Sequence, residues 1–205
     1  MPGYYNGSEQ RPGNRVASTT VTTDLSNHFL LAMPNMADPN FSGAVVLVAE
    51  HNDRGALGLV LNKPTTMTLG ALLQRIDLAA NSGNEDRTPI FYGGPVQTDR
   101  GFVLHRPRGE WSSTVEFSPE ISLTTSKDVL EAVAGGVGPE QLLVTLGYAG
   151  WGPGQLEAEI SQNAWLTVKA DPSLLFDTPA EERFIQAYQM LGIDPALLAP
   201  AAGHA

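Results

Sequence analysis

The sequence predicts an α+β fold of one domain, and three observations lead to this prediction. Apolar, β-branched runs come first along the chain, and helical patterns mixed with further strands follow them. The two kinds of element do not alternate regularly, which disfavours a doubly wound parallel sheet. A chain of 205 residues also suits a single hydrophobic core, and no linker-like stretch divides it.

The clearest strand signal is a pair of aliphatic runs at residues 44–49 and 57–61. The segment between them is rich in Asn, Asp and Gly, which favours a turn and hence a β-hairpin. Both runs are apolar throughout, whereas a half-exposed strand would alternate between apolar and polar residues. The hairpin is therefore expected in the centre of the sheet, with helices covering both faces.

Further strands are predicted from shorter apolar runs. The run at 28–33 is closed by Pro34, and the strands at 90–92 and 102–104 flank a predicted turn at 93–101. Weaker candidates lie at 115–117 and 121–123. The last strands are predicted at 142–146 and 164–168, on either side of a glycine-rich stretch at 147–154 and a helix at 153–162.

Three other helices are predicted from their amphipathic spacing and their capping residues. The first is capped by Thr68, and the second begins at Thr125 with Asp128 in the capping position. The third begins at Thr178, where Glu181 would complete a capping box, and it ends at Gly192.

The ends of the chain differ from its middle in composition. Residues 1–23 hold few large apolar side chains, so they are predicted to form a disordered tail. Residues 24–198 are predicted to form the domain, and residues 199–205 a flexible end.

Charge and cysteine content limit the classes of function. The chain has 22 acidic and 12 basic residues, a net charge of −10 that repels nucleic acid and anionic membranes. No cysteine is present, which excludes disulfides, thiolate ligands and thiol nucleophiles. Neither a membrane-spanning run nor a signal peptide is evident, so we expect the cytoplasm.

Catalytic and metal-binding patterns are not evident. The four histidines lie far apart, no G-x-S-x-G motif occurs, and the carboxylates are scattered. The sequence therefore predicts no catalytic residue, no metal site and no cofactor.

Basic residues are concentrated at 100–108 in the otherwise acidic chain. Arg100, His105 and Arg106 are candidate contacts for an anion, because arginine forks bind carboxylate or phosphate bidentately. Ordinary surface ion pairs with the acidic neighbours are the alternative interpretation.

Three segments rich in Gly or Pro each border a predicted strand, where a rigid sheet could present them on one side. Trp151 is interpreted either as a lid on the core or as an exposed anchor for a partner. Phosphate binding at 147–154 is disfavoured, because the Lys-Ser/Thr of a P-loop is missing. The candidate interaction surface comprises Asn62, Lys63, Pro64, Gly93, Gly94, Pro95, Trp151, Gly152 and Gln155.

Five stretches of the sequence resemble the bacterial YqgE/AlgH family. They are HFLLAMPNMADPNF (28–41), VAEHNDRGALGLVLNKP (48–64), FYGGPVQTDRGFVLH (91–105), LTTSKDVL (123–130) and LGYAGWGPGQLEAEI (146–160). The resemblance covers about residues 24–198 in the same order. Lys63 stands where Arg is frequent, and Ala49 where some members have Cys.

The resemblance implies a single α+β domain with a mixed sheet curled partly into a barrel. It supplies no established enzymatic activity, cofactor or binding site, although members have been labelled transcriptional regulators. Three functional classes stay open: a non-enzymatic protein that acts through a protein partner, with any regulatory role indirect; a direct DNA-binding regulator; and a small-molecule binder or enzyme with its site at the glycine-rich turns. The acidic charge and the missing catalytic motifs favour the first.

Overall fold

β-Strands hold more residues than helices in the structure, a computed structural model that describes residues 24–79, 85–194 and 197. The strands of this part of the chain are β1 (His28–Ala32), β2 (Val45–Asn52), β3 (Gly55–Val60), β4 (Pro64–Thr68), β5 (Pro89–Tyr92), β6 (Val96–Arg106), β7 (Thr114–Glu116), β8 (Ser122–Thr124), β9 (Gln141–Trp151) and β10 (Trp165–Lys169). Its helices are α1 (Leu69–Arg75), α2 (Asp128–Ala134), α3 (Gln155–Ser161), α4 (Pro172–Phe176) and α5 (Arg183–Met190), with a 3-10 turn at Glu85–Arg87.

The strands form one sheet that curls into a half-barrel, with the helices packed against it. The strand order is β10-β1-β2-β3-β9-β6-β8-β7, and β4 joins through β5, which lies beside β9. Every pairing is antiparallel except that of β5 with β9. The predicted single α+β domain with a curled mixed sheet is confirmed.

The predicted central hairpin is confirmed as β2 and β3, which pair antiparallel with Val46 opposite Val60. Alternate side chains of β2 enter different core clusters. Leu47 packs in the cluster that contains Tyr188 of α5, whereas Val46 packs in the cluster that contains Leu156 of α3. Helices therefore cover both faces, as the unbroken apolar pattern predicted.

Strand β9 organises the second half of the sheet and overturns one local prediction. The strands predicted at 90–92 and 102–104 do form, as β5 and β6, but they do not pair with each other. Each pairs with β9, so that Val144 lies between Ile90 and Val103. The segment predicted as a turn at 93–101 is mostly strand, because β6 begins at Val96.

The glycine-rich stretch 147–154 is also mainly strand, because β9 continues through Trp151. Its register with β6 shifts there, so that residues 97–100 bulge out opposite Gly147. Gly147 has a φ of +77°, and a side chain at this position would collide with the backbone of residues 94–98. Close packing therefore explains this glycine without a phosphate.

Helix starts were predicted with mixed success. Thr68 caps α1 by accepting a hydrogen bond from the Ala71 N–H, as predicted. The capping box at Thr178 is wrong, since α5 begins at Arg183 after a separate short helix, α4. The second helix begins at Asp128 instead of Thr125, because the Asp128 carboxylate accepts hydrogen bonds from Ser126 and Ser112 outside the helix.

A third core cluster lies under α1 and α2, where Leu73 and Val129 pack against Val103 and Val144 of the sheet. No helix within the described ranges is long and apolar enough to cross a membrane. The predicted tails at 1–23 and 199–205 lie outside the described residues.

Candidate functional site

The segment 62–64 and Tyr92, which precedes the segment 93–95, contact one loop, residues 34–43, which joins β1 to β2. Asn62 contacts the end of this loop that leads into β2, and both the oxygen and the nitrogen of its side-chain amide form hydrogen bonds there. The oxygen accepts from the Val45 N–H at 2.9 Å, and the nitrogen donates to the Gly43 carbonyl at 2.8 Å. Asn62 therefore holds the 34–43 loop as a backbone partner would.

Lys63 and Tyr92 hold the middle of the same loop. The Lys63 ammonium donates to the carbonyls of Pro39 and Asn40 at 3.0 and 2.9 Å. The Tyr92 hydroxyl donates to the Asn40 side-chain oxygen at 2.9 Å. Partial burial lowers the pKa of Lys63 and raises that of Tyr92, and Asp38 raises both.

Gly93 and Gly94 bring these two segments together through the backbone. The Val60 N–H donates to the Gly93 carbonyl, and the Tyr92 N–H donates to the Lys63 carbonyl. Gly94 has a φ of +152°, and a side chain there would collide with the backbone of Tyr148. Pro64 and Pro95 are exposed on the surface beside this junction.

Trp151 lies inside the protein beneath the 34–43 loop, with 6% of its surface exposed. Its ring packs against Phe41 and Trp165, at centroid distances of 6.2 and 6.1 Å. The indole nitrogens of both tryptophans donate to the same Glu159 oxygen, at 2.9 and 2.8 Å. The geometry therefore makes Trp151 a lid on the core and corrects the alternative of an exposed anchor.

Gly152 and Gln155 begin α3 next to this aromatic layer. The Gln155 side chain accepts from the Gly152 N–H at 3.0 Å and donates to Glu159 at 2.9 Å. Both residues are exposed. Three of the nine predicted surface residues are buried. Trp151 is buried in the core, and Gly93 and Gly94 are buried against neighbouring residues of the sheet. A functional role of the surface stays a prediction.

The three candidate anion contacts do not converge. His105 is fully buried, and its neighbour Arg106 points to the opposite face of β6. The Arg106 guanidinium donates to both carboxylate oxygens of Asp177, at 2.6 and 2.8 Å. Arg100 is exposed and stacks over the Phe102 ring at 5.1 Å. The grouping of Arg100, His105 and Arg106 is therefore corrected, and anion binding by Arg100 alone stays a prediction.

The hydrogen bonds of His105 define its protonation state. Its Nδ1 lies 3.2 Å from the Pro107 carbonyl, which can only accept, so Nδ1 carries the proton. Nε2 then accepts from the Thr124 hydroxyl at 2.9 Å, and Thr124 accepts from Thr114 at 2.7 Å. Burial lowers the pKa of His105, with the Pro107 hydrogen bond opposing this shift. The histidine is thus a neutral structural group.

The sequence analysis did not identify the roles of Asn40, Tyr92 and Arg183. Asn40 and Tyr92 complete the polar contacts of the 34–43 loop, and both stand inside stretches already singled out by the family resemblance. Arg183 is 7% exposed and donates to the carbonyls of Leu61 and Thr178. Burial lowers its pKa to about 10. No spacing rule points to the Tyr92–Asn40 or Arg183–Leu61 contacts, because these partners lie 52 and 122 residues apart.

His51 is a second buried histidine with a defined role. Its Nδ1 accepts from the Leu25 N–H at 3.1 Å, so Nε2 carries the proton and donates to Glu157 at 3.0 Å. This pair ties the segment before β1 to α3. Among the described residues, no group of three or more His, Asp or Glu side chains is arranged to hold a metal ion.

The chain is similar to proteins of several bacteria. The model of the AlgH-like family (DUF179) matches residues 29–196. A UPF0301 protein of Bordetella avium is 59% identical over 183 residues, which are 89% of this chain and 92% of that protein. A UPF0301 protein of Ralstonia nicotianae is 55% identical over 190 residues, which are 93% of this chain and 100% of that protein.

Two solved structures share the fold. The solution structure of the AlgH protein from Pseudomonas aeruginosa has 52% sequence identity and a TM-score of 0.73, covering 89% of this chain and 97% of that one. A crystal structure from Corynebacterium diphtheriae has a TM-score of 0.68 at 17% identity, covering 87% and 93%. The latter shows the fold alone. Given the match over nearly the whole domain, the chain belongs to the YqgE/AlgH family.

Proposed function

We propose that this protein acts by binding a protein partner and catalyses no reaction, with the 34–43 loop as its contact surface. The observation that supports the proposal is that side chains from outside this loop hold it in place through hydrogen bonds. Asn62, Lys63 and Tyr92 all direct their polar groups at its backbone or at Asn40. Such an arrangement suits a loop whose shape is itself recognised.

The energetics favour a rigid contact surface. Each of these hydrogen bonds contributes about 1 kcal/mol to stability, and together they remove conformational freedom from the loop before any partner arrives. A pre-organised loop loses less entropy on binding. Its outward side chains Pro34, Asn35, Ala37, Pro39 and Ser42 are exposed, whereas the Asp38 carboxylate helps to hold the loop by accepting from the Asn40 N–H at 2.8 Å.

Charge favours a protein over a nucleic acid as the partner. The net charge of −10 gives a repulsive field toward phosphates, and Arg106 and Arg108 are already paired with Asp177 and Glu116. We therefore infer that any influence on gene expression is indirect. The cytoplasm is the compartment we propose, on the same sequence grounds as above.

Affinity capture with a matched set of baits tests the proposal. The double variant Asn35→Ala, Ser42→Ala changes only exposed loop side chains, and Gln189→Ala on the exposed side of α5 is the control. We expect a protein that the wild type and the control capture from native lysate to be lost with the double variant. The purified protein and its captured partner should then show the same loss in a binding titration.

Two outcomes would contradict the proposal. If the double variant captures the same proteins as the wild type with equal affinity, the 34–43 loop is not the contact surface. If the wild type captures nucleic acid, and nuclease treatment removes every co-purified protein, the DNA-binding class is restored.

A further inference from the structure

An apolar cleft lies between α1 and α2, with β6 and β9 as its floor. Its volume is about 190 Å³. The aliphatic side chains that line it come from two helices and two strands: Leu72, Ile76, Leu130, Val103, Val144 and Leu146. None of these residues belongs to the 34–43 loop or to the residues that hold it.

Gly101 lies in this cleft, and nothing in the surrounding protein requires a glycine there. It is within β6, paired with Leu146, and its φ does not lie in the left-handed region. A Cβ at Gly101 would meet no atom within 4 Å. Glycine inside a strand weakens it by about 0.5–1 kcal/mol relative to alanine, and it often marks the close approach of a ligand or of another backbone.

Asp99 supplies a charge at the mouth of the cleft. The bulge of residues 97–100, in which Gln97 has a φ of +46°, carries Asp99 out of the regular ladder. Asp99 is exposed and lines the cleft, and it forms no ion pair with another described residue. Lys127 on the opposite side is already paired with Glu131 at 3.6 Å. Of the two charged residues that line the cleft, Asp99 is therefore the one without an ion pair among the described residues.

We propose that this cleft is a docking site for an extended segment of a partner protein, which inserts one branched aliphatic side chain beside Gly101. A basic residue next to that side chain pairs with Asp99. The volume favours a single side chain over a drug-sized ligand, because pockets for such ligands start at about 300 Å³. The net charge of −10 and the carboxylate of Asp99 both favour a basic segment.

Three blocked probes test this assignment by NMR titration of the ¹⁵N-labelled full chain. They are acetyl-Arg-Leu-Arg-amide, acetyl-Arg-Ala-Arg-amide and isovaleramide, which carries the leucine side chain without the flanks. We expect the leucine peptide to bind with a Kd of about 1 mM and to shift the amides of Gly101, Val103 and Leu130. Loss of the buried aliphatic group should weaken the alanine peptide about tenfold.

Filling the cleft provides the matched variants. Gly101→Ala places one carbon in open space and Gly101→Val adds two more, so affinity for the leucine peptide should fall progressively, and circular dichroism checks that both variants fold. Gly135→Ala, at an ordinary backbone position after α2, is the control that should bind as the wild type does. Asp99→Asn should weaken the leucine peptide about two- to fivefold and leave isovaleramide unchanged.

Three results would overturn the proposal. One is equal affinity for the leucine and alanine peptides, and another is unaltered binding by Gly101→Val. The third is isovaleramide binding as tightly as the leucine peptide, which would make the cleft a small-molecule site. None of these results bears on the 34–43 loop, whose residues the probes do not contact.

Discussion

The 34–43 loop and the aromatic layer beneath it touch through Phe41, yet they are stabilised in opposite ways. The layer combines the rings of Trp151 and Trp165 with one shared carboxylate, Glu159. The loop depends on polar side chains that reach its backbone from Asn62 and Lys63. The conspicuous tryptophan thus serves the core, and less conspicuous residues shape the surface.

The largest effect should come from the aromatic layer. Trp151→Ala removes a buried ring that packs against Phe41 and Trp165, and it leaves Glu159 with one indole donor fewer. We expect the free energy of unfolding to fall by about 3–5 kcal/mol, as measured by urea denaturation. A loss below about 1 kcal/mol would show that Trp151 is not a core residue and would return it to the interaction surface.

The next effect should come from Asn62→Ala. This change leaves the Val45 N–H and the Gly43 carbonyl without their side-chain partner. We expect a loss of about 1–3 kcal/mol, together with faster hydrogen exchange of the Val45 amide. Thr66→Ala on exposed β4 is the control, with a change within about 0.5 kcal/mol. Unchanged exchange at Val45 would contradict the role given to Asn62.

The pH dependence of stability tests the protonation state of His105, a polar group of the core. His105 has a pKa lowered by burial, so between that pKa and the ordinary value of about 6.5 the unfolded chain binds more protons than the folded one. Above pH 6.5, His105 therefore causes no loss in the free energy of unfolding. Below pH 6.5 this free energy falls, by at most about 1.4 kcal/mol per pH unit for one proton.

Denaturation of wild type and His105→Asn across pH 5 to 8, a range of about three units around the histidine pKa, checks this sign. The wild type should lose more stability than the variant toward acid. An equal or opposite slope would mean that His105 is protonated in the fold. The Thr114–Thr124–His105 chain would then run in the reverse direction.

The smallest effect on stability should come from the outward side chains of the loop. Asn35→Ala and Ser42→Ala remove exposed side-chain groups, so the free energy of unfolding should change by no more than about 0.5 kcal/mol. Circular dichroism melts of the same variants used for partner capture give this measurement. A large loss would mean that the outward side chains also hold the loop, and partner loss could not then be assigned to contact.

Local patterns succeeded where the decisive interaction is local. The hairpin of β2 and β3, the strand β1 and the Thr68 cap all follow from spacing within a few residues. The turn predicted at 93–101 was wrong, because β6 begins at Val96 and pairs with β9, which lies between β5 and β6. At Thr178, the predicted capping box does not form, and Arg183, the first residue of α5, donates to the carbonyl of Leu61, which lies 122 residues away.

The sequence by itself determined the family, the acidic charge, the absence of cysteine and the central apolar hairpin, because each is a matter of composition or of neighbouring residues. It also singled out Asn62, Lys63 and the glycines at 93 and 94. Only the tertiary structure decided that Asn62 and Lys63 hold the 34–43 loop, that Trp151 and His105 are buried, and that Gly101 faces an open cleft. The physical reason is that burial and hydrogen-bond partners depend on segments 17 to 122 residues apart, which chain spacing does not encode.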